Sequence, residues 1–189
     1  MPPRIWNRRR QWLGNALPLG LGIAVGSVLF PFDAAIRSLA AVVAAWIGVS
    51  QWGFFENSEI EQELRAKTLA EGELIGFVFK KNPTAIDAHA EIGILTVSPK
   101  KLSVVTEDGK VEILRQDVTS ITKLRNIHSL ILLGGWVVLI LADGAQFKFE
   151  SRKHRTMWQS RKRTAILFEE IRTWKRERPP HSEGLFELS

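Results

Sequence analysis

The sequence predicts two unlike parts. The first is a transmembrane hairpin of two helices. The second is an α+β domain in which a bent, seven-stranded antiparallel sheet forms a partly open barrel with a C-terminal helix. Three observations predict this. Residues 12–55 carry almost no charge. Residues 73–150 alternate short β-branched or aromatic runs with turn residues. Residues 154–176 repeat apolar side chains at helical spacing.

The chain has 189 residues, enough for one domain or for one domain with an appendage. Its net charge of +6 favours anionic partners, membrane headgroups as well as nucleic acid. With no cysteine it has no disulfide, no thiolate metal site and no Cys–His nucleophile.

Residues 1–11 form a basic N-terminus. Arg4, Arg8, Arg9 and Arg10 precede the apolar part, whereas the turn between its two halves offers only Asp33. The positive-inside rule then places both termini on the cytoplasmic side of an integral membrane protein. Segment 12–30 has no charge and segment 34–55 only Arg37, and at about 1.5 Å per residue each helix spans roughly 30 Å. Gly22 and Gly26 make a G-x-x-x-G pair, and Ala40/Ala44 and Ala41/Ala45 continue small-x-x-x-small spacing, a face suited to close helix packing. Trp6, Trp12, Trp46 and Trp52 gather toward one side, where indoles suit the headgroup boundary. Two alternatives compete. One is a cleaved signal peptide, although no A-x-A site follows the arginines. The other is a hairpin buried in a soluble body, for which the rest of the chain offers little enclosing apolar surface.

Residues 56–70 read as a linker helix leading from the bilayer, with Asn57 or Ser58 as N-cap and Glu59, Glu61 and Glu63 in its early turns. The strands follow as "ELIGFVFK", "EIGILTV", "KLSVVT", "VEIL", "DVTSITKLR", "GWVVLIL" and "QFKFE". Asn82-Pro83 and Ser98-Pro99-Lys100 break the runs, and Asp108-Gly109 and Asp143-Gly144 are hairpin signals. The apolar run 127–142 is too short for a third span, is interrupted by Gly134-Gly135 and meets a turn at once. Ser151 is placed to cap the final helix, whose apolar face is Met157, Thr164, Leu167, Phe168, Ile171 and Trp174. Residues 177–189 lack periodicity and read as a flexible tail.

A seven-strand antiparallel series closed by one amphipathic helix resembles the pleckstrin-homology-like (PH-like) superfold, with its bacterial PH-like and GRAM-like domains. The resemblance covers residues 71–176, and its most specific part is "IGILTVSPKKLSVVTEDGKVEILRQDVTSITK". It implies that the helix plugs one end of the bent sheet, burying Trp158, Phe168 and Trp174. Many PH domains grip phosphoinositides with Lys-x(n)-Lys/Arg-x-Arg across the first two strands. Lys80 and Lys81 match the opening, but Asp87, His89 and Glu91 stand where further cations belong, so inositide specificity is not implied.

Catalytic signals are poor. His89, His128, His154 and His181 are scattered without metal-ligand spacing, and no G-x-S-x-G elbow is present. The glycines of residues 20–26 resemble a dinucleotide loop, yet no strand precedes them. The sequence thus predicts no catalytic residue, metal or cofactor. The cations carry more information. Lys80, Lys81, Lys100 and Lys101 end strands, and Arg152, Lys153, Arg155, Arg161, Lys162 and Arg163 crowd the start of the last helix, a candidate patch for lipid or a partner. No row of surface aromatics favours nucleic acid. The expected function is a non-enzymatic, membrane-anchored accessory, scaffold or assembly subunit docking a membrane-protein complex at the cytoplasmic face, with homo-oligomers left open. Anionic-headgroup sensing is the alternative, and a hydrolase whose acids converge only in the fold is a third.

Overall fold

A computed structural model of the chain describes residues 4–7, 9–10, 20–21, 23–24, 26–28, 34–52, 56–81, 90–125 and 135–177. Seven strands occupy the expected runs: β1 Glu73–Lys80, β2 Glu91–Val97, β3 Lys101–Val105, β4 Lys110–Leu114, β5 Val118–Leu124, β6 Trp136–Leu141 and β7 Gln146–Ser151. They form one antiparallel sheet in the order β4-β3-β2-β1-β7-β6-β5. β1 is the seam, since Ile75 faces Gly93 of β2 on one side and Ser151 of β7 on the other. Two meanders are thereby joined into a curled half-barrel whose outermost strands among the described residues are β4 and β5. This architecture is compatible with the fold that the PH-like resemblance implies.

Side chains alternate across each strand, so Ile75 and Phe77 point into the curl while Leu74 and Val78 point out. The interior gathers Ile75, Phe77, Leu139, Phe147 and Phe149, with the Phe77 and Phe149 rings 5.4 and 5.1 Å from that of Phe147. Helix α3, Met157–Arg176, closes it with Leu167, Ile171 and Trp174. Two expectations about this helix are corrected. Its N-cap is Thr156, whose hydroxyl accepts from the Gln159 amide, because Ser151 is still in β7 and donates to Glu73 at 2.5 Å. Trp158 is 45 % exposed rather than buried, since it falls off the stripe set by residues 164, 167, 171 and 174.

The outer face of the sheet is covered too, which is why β1 reads as nearly continuous apolar sequence. Helix α2, Asn57–Thr68, lays Ile60 and Leu64 over Leu74, Ile92 and Ile94, joined by Ile5. Glu56 occupies its N-cap position without a side-chain cap, so neither Asn57 nor Ser58 fills that role. The segment read as a linker is therefore part of the core.

The transmembrane hairpin is not borne out: among the described residues, no helix is long and apolar enough to cross a membrane. Helix α1, Ala34–Trp52, has Arg37 and Ser38 in its second turn and Ser50 and Gln51 near its end. The wholly apolar stretch 39–49, between Ser38 and Ser50, rises only about 16 Å, half of a hydrocarbon core. Of the first segment only residues 20–21, 23–24 and 26–28 are described, all helical, and the turn at 31–33 lies outside the described residues. The predicted orientation, with both termini cytoplasmic, loses the spanning hairpin it was built on. The two helical segments nevertheless meet at small residues. A Cβ on Gly26 would lie 2.5 Å from the Ala41 Cα and 3.0 Å from the Ala40 carbonyl oxygen, and Ala45 is buried. Ala40 and Ala44 are half-buried, and Gly22 is outside the described residues. α1 also touches α3, so the apolar part and the β domain are in contact.

Candidate functional site

The ten predicted cations do not form one rim. β1 and β2 run antiparallel with Glu73 facing Leu95, so Lys80 and Lys81 lie one strand length, roughly 23 Å, from the turn that carries Lys100. Lys101 is engaged by Glu112 at 2.8 Å, and Lys101 with Lys110 holds the exposed Glu112 carboxyl down to about 2. Arg163 is clamped by Glu170 at 2.8 Å and by Glu73, and its pKa is raised by those bonds.

Arg152 is buried. Its Nε donates to Asn57 Oδ1 at 2.9 Å, and its guanidinium lies 4.7 Å from the centroid of the Trp6 ring. Loss of water lowers its pKa to about 10, against the pull of Glu150 and Glu56, so it stays charged at neutral pH. It belongs to a clasp that ties the N-terminus to the domain. The Glu107 carboxylate accepts the Ile5 and Trp6 amides at 2.9 and 3.2 Å, Arg4 pairs with Asp108, and Arg10 grips Glu63 through two bonds of 2.8 and 2.9 Å. The basic N-terminus thus binds the chain's own acids. Its spacing from them in sequence, about 100 residues for Glu107, left no signal.

What remains exposed near the start of α3 is Lys153, Arg155, Arg161 and Lys162. Arg155 donates to Ser58 at 3.0 Å. Arg161 and Lys162 each place their charge 5.8 Å from the Trp158 ring centroid, an exposed indole between two cations.

Two clefts open at the other end of α3, at about 1020 and 580 Å³, and both are walled by Pro99, Arg115 and Glu177. Arg115 begins the 3-10 turn Arg115–Asp117 between β4 and β5. Its guanidinium lies 5.6 Å from the Trp174 ring centroid, and Nη1 donates to the Pro99 carbonyl at 3.2 Å. Nη2 is buried with no hydrogen-bond partner among the described residues. Trp174 is fixed by its own bond to the Ser98 carbonyl, 2.7 Å. Arg115 carries no sequence signal of its own, for nothing in "LRQDV" separates it from a solvated cation.

The helix pair presents its own apolar exterior. Val28 is 77 % exposed, Leu39 67 % and Val42 66 %, with Ile36 and Val43 beside them. His154 is the one histidine among the described residues, and no group of three potential metal ligands occurs among them. No protein-family model matches this chain, and a search of the curated proteins returns no match.

Proposed function

We propose that the chain is a non-enzymatic docking module, an accessory or scaffold subunit that engages an apolar helix of a larger, membrane-associated complex. The observation that carries this reading is the exposed exterior of the helix pair at Val28, Ile36, Leu39, Val42 and Val43. Contiguous apolar surface of this kind marks interaction sites. The small residues between the two segments let their backbones approach closely. The β domain lies against the pair through α1–α3 contact. Purification of the tagged chain in mild detergent, compared with Leu39→Glu/Val43→Glu, tests the proposal. A stoichiometric partner should accompany the native chain and be lost from the variant. A solitary native protein, or equal recovery with both, rejects it. A dimer that dissolves in the variant replaces the foreign helix with a second copy.

A second reading, recognition of anionic headgroups, is favoured by Trp158 between Arg161 and Lys162, with Lys153 and Arg155 near. Each cation at an anionic leaflet contributes about 1 kcal/mol. Flotation with vesicles of phosphatidylglycerol and phosphatidylcholine should then retain the full-length protein and release Lys153→Glu/Arg155→Glu/Arg161→Glu/Lys162→Glu. Retention of that variant excludes this reading.

A further inference from the structure

We propose that the joined clefts around Arg115 bind a single-chain anionic amphiphile, an oxyanion head (phosphate or carboxylate) on one apolar chain. This goes beyond the docking function and does not depend on it. The first observation is the unsatisfied guanidinium nitrogen. Arg115 Nη1 is used by Pro99, while Nη2 is buried with no partner among the described residues. A charged donor left in that condition is costly, and an acceptor brought by a ligand, water or ion relieves it. Carboxylates and phosphates suit the planar guanidinium because two of their oxygens can accept parallel bonds from it.

The second observation is the charge around it. The smaller cleft adds Lys100, Lys175 and Arg176 to Arg115, against Glu177 as the one carboxylate among its described lining residues. Lys175 donates to the Arg115 carbonyl, which fixes the turn bearing the guanidinium. The larger cleft has two further acids, and both are occupied: Glu170 by Arg163 at 2.8 Å and Glu169 by Arg172 at 3.6 Å. Among the described residues the charge at the junction is net positive.

The third observation is the wall beyond the head. The larger cleft runs along α3 from Trp174 to Ala165 and Ile166, with Val97 opposite. The nine helical steps from Ala165 to Trp174 cover about 13 Å, the length of a medium alkyl chain. Ile166 is 54 % exposed and Val97 42 %. An apolar chain lying there covers both, while its head stays at the cations.

The test uses the full-length chain and three probes: n-octyl phosphate below its micelle concentration, inorganic phosphate, and n-octyl glucoside. Isothermal titration should show octyl phosphate binding at least tenfold more tightly than either of the others. Arg115→Gln should weaken it tenfold or more and Arg115→Lys less. Ile166→Glu should weaken octyl phosphate while leaving inorganic phosphate unchanged. If Arg115→Gln does not fold, Lys100→Glu/Arg176→Glu stands in for it. Leu39→Glu/Val43→Glu should bind as the native chain does, which separates this site from the docking helices. Equal binding of octyl glucoside, equal binding of inorganic phosphate, or indifference to the Arg115 and Lys100/Arg176 changes overturns the proposal.

Discussion

Replacing Arg152 distinguishes a structural cation from a ligand-binding one, and the structure sets the expected size. Arg152 is only 5 % exposed, so its charge is held at a cost. A pKa lowered from 12.5 to about 10 corresponds to about 3 kcal/mol at 1.36 kcal/mol per unit. Removing the side chain recovers that amount. Against it stand the charged hydrogen bond to Asn57, about 1.5–3 kcal/mol, and the contact with Trp6, about 2 kcal/mol in a desolvated setting. Asn57 Oδ1 is then orphaned inside the fold, a further 1–3 kcal/mol or so, and the vacated stem leaves a cavity of about 2–3 kcal/mol. The losses win, and Arg152→Ala should destabilise the protein by about 5 kcal/mol. At roughly 2–4 °C per kcal/mol for a chain of this size, the melting temperature should fall by about 10–20 °C. Arg152→Met keeps the stem volume against Trp6 and discards the charge, so its cost should be about 1–2 kcal/mol. Circular dichroism melts at pH 7 measure both. An Ala variant that melts within 2 °C of the native chain, or a Met variant worse than Ala, refutes the assignment. Below its melting transition the Ala variant should bind anionic vesicles as the native chain does.

Three further outcomes follow from the packing. Gly26→Leu puts a branched chain where Ala41 backbone lies 2.5 Å from a Cβ, so the helix pair must separate; limited proteolysis should cut within residues 20–52 at least several-fold faster. Trp174→Phe loses the bond to the Ser98 carbonyl and should cost about 1 kcal/mol by urea denaturation. The clasp should loosen in acid. Glu107 and Glu63 have folded pKa values lowered below 4.5, Glu107 by the Ile5 and Trp6 amides and Lys67 against an opposing loss of water, Glu63 chiefly by Arg10. Their stabilisation is present above the unfolded pKa of about 4.5 and is lost as pH falls through the folded values. Glu56 is raised by loss of water, so its cost is relieved over the pH range just above 4.5 and partly offsets that loss. Fluorescence of Trp6 should therefore report release below pH 4, and an unchanged signal down to pH 3 contradicts the clasp.

The seven strands and the last helix were legible because their signals are local. Alternation in "KLSVVT", the Asp143-Gly144 turn with its φ of +81°, and the 164–167–171–174 stripe each depend on neighbours a few residues apart. Small-residue spacing likewise pointed to the face where Gly26 meets Ala41. Composition misled where length mattered: a run low in charge looked long enough to span a bilayer, yet the helix it forms carries polar residues at both ends.

Local chemistry in the chain thus determined which residues become strand, turn or helix, and the 164–167–171–174 stripe that α3 turns inward, though not that Trp158 stays out or that Ile60 and Leu64 go in. Only the tertiary structure decided what the cations do. Arg152, Arg163 and Arg10 find acceptors 53 to 95 residues away along the chain, whereas Lys153, Arg161 and Lys162 stay at the surface, and all six have the same charge in the sequence. The physical reason is that pairing and desolvation are set by position in space, through a sheet whose β1 joins segments far apart in sequence. The same closure brings the turn at Arg115 beside Trp174 and makes the cleft, which no local pattern encodes.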